Sequence, residues 1–264
     1  MEIEDRIDEI WENTSSNKSL LFVGYSGLGK TYQAQRVAEK YGLAIKGVND
    51  VIDRNCVLFI DEAQMYSVAE QQKFIAMIDN PIRHISGGLG VFNLKKVLAR
   101  VILATTTLDK IIEPLQTRSY KIMFNFYDRD IIKDIILRHY PKMPDKWLDD
   151  IATRSKGNAR IAINIADVAN NIGLEKAFQL LKIDELGLEE EDRYYLATLF
   201  KREYASVNTI STLLGYSKEA IIQVIEPYLQ RLNFINITSR GRSLTQEGKD
   251  YILNFLNNMG NKND

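Results

Sequence analysis

A glycine-rich segment near the start of the 264-residue chain limits the fold more than any other feature. It reads GYSGLGKT over Gly24–Thr31 and directly follows the short apolar run Leu20–Val23. The pattern G-x-x-x-x-G-K-[ST] after a strand is typical of a phosphate-binding loop, in which backbone N–H groups surround phosphates at the start of a helix. The sequence therefore predicts a strand, a loop and a helix, in that order.

Each position of this loop has a predicted role in holding a nucleotide. The residues expected to surround the phosphates are Gly24, Tyr25, Ser26, Gly27, Leu28 and Gly29. Lys30 is expected to reach the β- and γ-phosphates, and the Thr31 hydroxyl is expected to ligate Mg²⁺. The helix that follows adds the positive end of its dipole to the same site.

A second motif supplies the carboxylates that such a site needs. The apolar run Val57–Ile60 ends in Asp61 and Glu62. At the carboxyl end of a parallel strand neighbouring the phosphate-binding loop, Asp61 would hold Mg²⁺ and Glu62 would orient the attacking water. The two motifs in this order predict hydrolysis of the bound nucleotide.

Three further polar positions have two readings each. Thr105–Thr107 end another buried strand, where a hydroxyl either positions the lytic water or only terminates the strand. Arg118 lies on a connecting loop and is either a surface residue or part of a nucleotide site. Arg160 follows the helix-start signal Gly157-Asn158, and it either caps that helix or points to the nucleotide phosphates.

Apolar runs alternate with helical spacing through the first half of the chain, which predicts a parallel α/β sheet. The predicted strands are Leu20–Val23, Val57–Ile60, Val101–Ala104 and Ile122–Phe126. The predicted helices between them are Thr31–Tyr41, Ala69–Ile78 and Arg129–Tyr140.

The strand pattern stops after Pro141 and Pro144, and residues 145–183 show the three- and four-residue apolar spacing of a small helical unit. Helices are then predicted over 191–204, 208–214 and 217–232, before an alternating stretch. Three helices followed by a two-stranded ribbon are the layout of a winged helix. The ribbon carries Arg240, Gly241 and Arg242, which form either a solvated turn or a contact with phosphates.

Composition restricts the function further. The net charge is −1, so any contact with nucleic acid must come from a local basic cluster rather than from bulk charge. The single cysteine, Cys56, is expected in the core of a protein from a reducing compartment.

The acidic N-terminal segment is unlike a signal peptide and no apolar run has membrane-spanning length, so a cytoplasmic location is expected. His84 and His139 are too far apart in sequence to predict a metal site.

Together these motifs resemble the AAA+ ATPases and, within them, the RuvB-type motors that drive Holliday-junction branch migration in DNA recombination and repair. The resemblance is carried by GYSGLGKT as Walker A, LFIDEAQ as Walker B, LATT as sensor 1, PLQTR as the arginine-finger segment, KGNARIAINIA as sensor 2 and IEPYLQRLNFINITSRGR in the winged helix. It extends from about Leu20 to about Leu256.

The resemblance implies a fold, a cofactor set and a role for each site residue. The expected domains are an AAA+ α/β domain over 1–142, a helical lid over 143–186 and a winged-helix DNA-binding domain over 187–264. ATP and Mg²⁺ are the expected ligands, and a hexameric ring around duplex or branched DNA is the expected assembly, with contacts largely independent of DNA sequence. The implied roles are general base for Glu62, sensor 1 for Thr106, sensor 2 for Arg160, a finger acting in trans for Arg118, and phosphate contacts for Arg240, Gly241 and Arg242.

The sequence also departs from the family pattern. Only about nineteen residues precede the first strand, whereas the family has a longer N-terminal segment that helps to enclose the adenine, so the sequence predicts phosphate binding more firmly than adenine specificity. Gln116 stands where the family has another arginine. Residues 82–97 predict a glycine-tipped hairpin carrying Ile85, Leu89, Val91 and Phe92, which either docks a RuvA-like partner, as in the family, or packs as an ordinary connection.

Two other functions are compatible with the same motifs. One is an ATP-switched loader or initiator-like adaptor that binds DNA without moving along it. The other is an ATP-controlled transcription regulator, for which the helix at 217–232 offers only Lys218, Glu219 and Gln223 near its start.

Overall fold

The computed structural model describes residues 3–86 and 94–260. The chain divides into two compact units, Met1–Asn125 and Phe126–Asp264. The predicted domain boundary at residue 142 thus lies inside the second unit, because the helix Arg129–His139 buries Ile132 and Ile136 in that unit's core. Within the described ranges, no helix is both long and apolar enough to cross a membrane.

The first unit is built on a mostly parallel sheet, as predicted. Its strands are β1 (Ser19–Val23), β2 (Ala44–Lys46), β3 (Cys56–Ile60), β4 (Ile82–Ser86), β5 (Leu94–Thr105) and β6 (Ser119–Met123). The order across the sheet is β2-β3-β5-β1-β6, with every neighbouring pair parallel, and β4 pairs antiparallel with β5. Strands β1 and β3 and the last seven residues of β5 are almost wholly buried, which explains their apolar runs.

Helices cover this sheet. They are α1 (Ile3–Asn13), α2 (Lys30–Lys40), α3 (Val68–Asp79) and the short α4 (Glu113–Thr117). A capping box between Ser67 and Glu70 starts α3, and Phe74 and Ile78 bury its apolar side in the core with β1, β3 and β5.

Two details of the sheet differ from the prediction. The strand that precedes Asp61 is not adjacent to β1, because β5 lies between them. In addition, β6 begins and ends three residues earlier than the predicted strand Ile122–Phe126. It is an edge strand with exposed Tyr120 and Lys121, so its first half lacks the apolar pattern by which buried strands are recognised.

The second unit begins with four helices, α5 (Arg129–His139), α6 (Asp145–Arg154), α7 (Ala159–Ile172) and α8 (Leu174–Leu181). They share one apolar core, to which α7 contributes Ala162, Ile165, Ala166 and Ala169. We call this group the lid helices.

A winged helix follows. Its helices are α9 (Glu190–Phe200), α10 (Val207–Leu214), α11 (Lys218–Ala220), a π-helical segment Ile221–Ile225, α12 (Glu226–Arg231) and α13 (Gln246–Gly260). Strands β7 (Ile235–Thr238) and β8 (Gly241–Leu244) form the antiparallel ribbon. The predicted helix 217–232 is therefore one helical stretch in which a π-helical segment interrupts the α-helix, with Ile221, Ile225 and Leu229 in the core.

Buried charge joins the lid helices to the winged helix. The Lys156 ammonium, just before α7, lies 2.6 Å from Asp192 and 3.3 Å from Glu189. Burial alone would lower the pKa of Lys156, but these two carboxylates raise it overall, so the side chain stays charged. Arg231 also donates from Nη1 to the Lys156 carbonyl oxygen at 2.9 Å. The contacts fix the start of α7 against the winged helix within this unit.

Candidate nucleotide site and DNA-binding wing

The glycine-rich loop has a backbone that only glycine adopts easily. Gly27 and Gly29 have φ values of 81° and 83°, in the left-handed region. At Gly24 a Cβ atom would lie 2.4 Å from the Phe124 carbonyl oxygen, so the loop passes too close to its neighbour for any side chain. The loop ends where α2 begins at Lys30, which leaves the first N–H groups of that helix at the loop.

Lys30 folds back over the loop. Its ammonium donates to the carbonyl oxygens of Gly24 at 2.7 Å and Tyr25 at 2.8 Å, and the residue is buried. A lysine held in this way places one positive charge where the loop closes. Together with the glycine backbone, this arrangement fits the phosphates of a nucleotide.

The hydroxyl and carboxylate predicted to hold Mg²⁺ lie side by side. Thr31 Oγ1 donates to Asp61 Oδ2 at 3.1 Å, while Asp61 Oδ1 accepts from the Glu62 backbone N–H at 2.9 Å. The contact forms although β5 separates the strands that precede these residues, because Thr31 projects from α2 rather than from the sheet. Two hard oxygen donors at one point are a donor set that suits Mg²⁺ when phosphates complete its coordination.

A hydrogen-bonded network connects Glu62 to the end of β5. Gln64 donates from Nε2 to the Glu62 carboxylate and, at 3.0 Å, to Thr106 Oγ1. Gln64 Oε1 accepts from Thr105 Oγ1 at 2.7 Å. Glu62 itself has a φ of 48°, which is uncommon for a residue with a side chain and marks a sharp turn at the strand end. The Gln64 amide therefore donates hydrogen bonds both to the candidate base, Glu62, and to the candidate sensor 1 hydroxyl of Thr106.

Sequence reasoning assigned no role to Gln64, although the residue stands within the quoted Walker B segment. No spacing rule connects it with Thr105 and Thr106, which lie some forty positions later in the chain. The only local signal is its position two residues after Glu62, at the start of a turn.

Arg118 lies at the other end of β1 from the glycine-rich loop. Its carbonyl oxygen accepts from the N–H of Ser19, the first residue of β1, whereas the loop follows Val23. About 13 Å of strand separates the two ends. The Arg118 guanidinium donates from Nε to Asp79 Oδ1 at 2.9 Å and from Nη1 to the Pro114 carbonyl oxygen at 3.1 Å. Arg118 therefore does not serve the phosphate loop of its own chain.

Arg160 belongs to the second unit, in the first turn of α7. The Asn158 side chain caps this helix by accepting from the N–H groups of Arg160 at 3.0 Å and Ile161 at 3.2 Å. The helix-start signal read from Gly157-Asn158 thus corresponds to a real helix start. The sensor 2 role of the Arg160 side chain stays a prediction.

The three wing residues have three different environments. Arg240 is exposed in the turn between β7 and β8. Gly241 has a φ of 126°, and a Cβ atom there would lie 2.6 Å from the Ala205 carbonyl oxygen. The glycine is thus explained by close packing of the wing on the Ala205 backbone, with which Arg242 forms a β-bridge. A direct phosphate contact is not needed to explain it.

Arg242 does not extend from the wing as predicted. Its guanidinium donates to Glu226 through Nε at 2.8 Å and Nη2 at 3.1 Å, with the two side chains 15% and 2% exposed. Tyr195 donates its hydroxyl to the same carboxylate at 2.9 Å. Burial and the adjacent carboxylate raise the pKa of Tyr195, so it remains a donor. Glu226 holds Arg242 inside the domain, because a buried carboxylate without a positively charged partner would strongly destabilise the fold.

The predicted partner-docking hairpin is described only in its two arms. β4 and β5 pair in register from Ile82–Leu98 to Ser86–Leu94, with Ile85 opposite Lys95. Leu89, Val91 and Phe92 lie outside the described residues. The docking role of 82–97 stays a prediction.

Comparisons with known proteins agree on one family. Residues 185–253 match the family model described as the RuvB C-terminal winged helix domain. The Holliday junction branch migration complex subunit RuvB of Mycoplasma genitalium is 30% identical over an alignment of 284 residues, covering 92% of this chain and 89% of that protein. The subunit of the same name from Ureaplasma urealyticum is 30% identical over 277 residues, covering 91% and 87%.

Solved structures agree on the fold. The Thermotoga maritima RuvB Holliday junction branch migration motor has a TM-score of 0.78 to this chain, with 24% identity, and the match covers 95% of this chain and 93% of that one. A point mutant of the same protein gives a TM-score of 0.78 at 25% identity, covering 94% and 91%. These matches support the AAA+ α/β fold with a winged helix.

Proposed function

Because the chain belongs to the RuvB family, we propose that it is an ATP-hydrolysing motor that moves duplex DNA and migrates Holliday junctions. The observation that carries the proposal is the convergence of four groups at one edge of one sheet: the Lys30 ammonium, the Thr31–Asp61 pair, the Glu62 carboxylate and the Thr106 hydroxyl. Each group supplies a different requirement of phosphoryl transfer to water.

Nucleotide binding would use the loop and the start of α2. The residues Gly24, Tyr25, Ser26, Gly27, Leu28 and Gly29 offer backbone N–H groups, and Lys30 offers a cation that donates to the carbonyl oxygens of Gly24 and Tyr25. Phosphate oxygens carry more negative charge than those carbonyls and would compete for the ammonium. Thr31 and Asp61 would hold Mg²⁺, which when bound neutralises charge on the phosphates.

Hydrolysis would use the carboxyl ends of β3 and β5. Glu62 would accept a proton from the attacking water, as its exposure after the strand end allows. Thr106 would donate a hydrogen bond to the same water or to the phosphate that it attacks. These two residues follow neighbouring strands, β3 and β5, so the sheet brings their backbones close together.

A ring would complete the site. Arg118 lies at the wrong end of β1 to serve its own loop, and this supports the proposal that it acts on ATP bound to a neighbouring subunit. A hexamer is the assembly that we propose, with Arg160 as sensor 2 from the second unit. Because Lys156 and Arg231 join the lid helices to the winged helix, any movement of the lid would reach the wing.

DNA contact is assigned to the exposed Arg240 at the turn of the wing. A single guanidinium on a turn binds phosphate without reading bases, which suits a motor that must act on any sequence. A RuvA-like protein docked on 82–97 would deliver the junction to the ring.

A synthetic four-way junction tests the proposal. We expect wild-type protein, with ATP, Mg²⁺ and a RuvA-like partner, to separate the junction into two duplexes. The Lys30→Ala variant should bind the junction and leave it intact, because phosphate binding is lost while the wing is unchanged. ATP-dependent DNA binding by wild-type protein without strand separation would contradict the motor and support the loader-like alternative.

A further inference from the structure

The amide of Gln64 is the only link in the described network between the candidate base and the candidate sensor 1 residue. Its two N–H hydrogens are both used, one on the Glu62 carboxylate and one on Thr106 Oγ1 at 3.0 Å. Its carbonyl oxygen is used as well, by the Thr105 hydroxyl at 2.7 Å. Because both N–H groups and the carbonyl oxygen of this amide are hydrogen-bonded, its orientation is fixed.

That orientation is dictated by charge. Turning the amide over would put the carbonyl oxygen of Gln64 against the Glu62 carboxylate, and both are acceptors only. The Thr105 hydroxyl could accept from a turned amide on its second lone pair and donate to the Thr107 carbonyl oxygen, so the orientation is decided at the Glu62 carboxylate. The present arrangement alone gives each acceptor a donor.

The backbone beneath Gln64 is held firmly. Glu62 turns the chain in the left-handed region, and the three-residue 3₁₀ helix Ala63–Met65 follows. Ala63 is fully buried in the core beneath the sheet, and the Met65 N–H donates to the Glu62 carbonyl oxygen at 2.8 Å. A side chain on such a turn can set the position of its neighbours, because little of its own freedom remains.

Thr105 supports the network from below. It is fully buried, and its hydroxyl is fixed between Gln64 and the backbone of Thr107. Because it is buried, the Thr105 hydroxyl does not reach the candidate site itself, and Gln64 is its side-chain contact there. Thr106, the next residue, is the one whose hydroxyl reaches the site.

We infer that Gln64 is a positioning residue that sets the distance between the Glu62 carboxylate and the Thr106 hydroxyl, and that Thr105 holds Gln64 in turn. This inference rests on the proposed ATPase function and deepens it. A general base gains its rate advantage only when it lies within hydrogen-bonding reach of the attacking water. A base released from its amide would sample other rotamers, and fewer of its collisions with water would be productive.

The first test is a steady-state ATPase measurement on Gln64→Met, which keeps the side-chain length and removes all three hydrogen bonds. We expect kcat to fall about 10- to 100-fold, a part of the full contribution of a general base. The affinity for a fluorescent ADP analogue should change less than twofold, because the phosphate loop is untouched. Gln72→Met, at an exposed position of α3, is the matched control and should keep the wild-type kcat.

The second test asks whether Thr105 acts through Gln64. Thr105→Val, of equal size, removes the hydroxyl that bonds to Gln64 and to the Thr107 backbone, and it should lower kcat about fivefold. In the Gln64→Met background the same change should lower kcat less than twofold, since the link is already broken. Thr105→Ser, which keeps the hydroxyl, should lose less activity than Thr105→Val.

The outcomes separate this inference from the proposed function. Wild-type ATPase activity with an unchanged kcat in Gln64→Met would overturn the inference alone. Equal losses from Thr105→Val in both backgrounds would also overturn it, and so would equal kcat values for Thr105→Val and Thr105→Ser, a comparison that does not require Gln64→Met to fold. A wild-type protein without ATPase activity would overturn the proposed function and, with it, the inference.

Discussion

Two arginines, one in each compact unit, form ion pairs that differ in burial: one pair is exposed and the other is buried. Arg118 is 36% exposed and pairs with Asp79, which is 44% exposed. Arg242 is 15% exposed and pairs with Glu226, which is 2% exposed and also accepts from Tyr195. The family resemblance implied that both guanidinium groups contact another molecule, a neighbouring subunit for Arg118 and DNA for Arg242.

The difference in burial decides what each arginine can do. An exposed ion pair is worth about 0–1 kcal/mol, so Arg118 can leave Asp79 for another anion at little cost. A buried carboxylate that loses its partner costs several kcal/mol, so Arg242 cannot leave Glu226 for a DNA phosphate. Arg118 is therefore available for a partner subunit, whereas Arg242 is part of the scaffold that carries the wing.

The largest effect that distinguishes the two regions is expected in catalysis. Arg118→Ala should lower the ATPase rate of the assembled protein about a thousandfold, the lower range for loss of an arginine finger. Its free energy of unfolding should change by less than about 1 kcal/mol, because the Asp79 pair is exposed. ATPase assays and urea unfolding measure the two quantities, and Lys121→Ala on the exposed side of β6 is the control.

Mixing experiments show whether the residue is shared between subunits. If Arg118 acts in trans, small fractions of Arg118→Ala should reduce the activity of wild-type protein by more than their share. Activity that falls in simple proportion to the fraction of variant would contradict a shared site.

The next largest effect is on folding. Arg242→Ala should lower the free energy of unfolding of the second unit by about 3 kcal/mol, because Glu226 is left buried and unpaired. Denaturant unfolding followed by circular dichroism measures the loss. Replacing both partners, as in Arg242→Met with Glu226→Met, should recover part of it. A variant Arg242→Ala with wild-type stability and weak DNA binding would instead restore the original phosphate-contact prediction.

A smaller loss of stability is expected at Gly241. Gly241→Ala should cost about 2 kcal/mol, because its Cβ atom would meet the Ala205 carbonyl oxygen and its φ of 126° is unfavourable for alanine. Gly215→Ala is the matched control, since Gly215 also has a positive φ but has open space around it. The control should cost about 1 kcal/mol. Equal losses would show that the close approach to Ala205 is not limiting.

The smallest effect is expected at Arg240. Arg240→Ala should leave the unfolding free energy unchanged and weaken binding to all duplex sequences by about fivefold at low salt. The slope of log affinity against log salt should fall by about 0.9, which is the share of one phosphate contact. Fluorescence anisotropy over a salt series measures both, with Lys249→Ala as the control. A loss confined to one DNA sequence would mean that the wing reads bases.

Much of the first unit could be predicted from the sequence. Buried parallel strands are continuous apolar runs, and β1, β3 and the end of β5 lie where those runs were read. The phosphate loop is equally local, since Gly27 and Gly29 need backbone angles that the pattern itself specifies. The predicted position of edge strand β6 was three residues too late, because the exposed side chains of its first half carry no apolar signal.

The candidate site could be predicted only where its members are close in sequence. Asp61 and Glu62 follow a recognisable strand, but the amide that joins Glu62 to Thr106 comes from a residue with no distinguishing pattern. The insertion of β5 between β1 and β3 was also invisible, because strand order depends on how helices cross the sheet and not on any one strand.

The sequence by itself determined the family, the strand–loop–helix of the phosphate site and the identity of the groups that enter it, because each is encoded within a few adjacent residues. The tertiary structure alone decided which of those groups are free to act. Arg240 and Arg242 are separated by a single glycine in the same basic triplet, yet one is exposed and the other is bound to Glu226. The reason is that burial, and with it the cost of leaving a charge unpaired, depends on segments far apart in the chain.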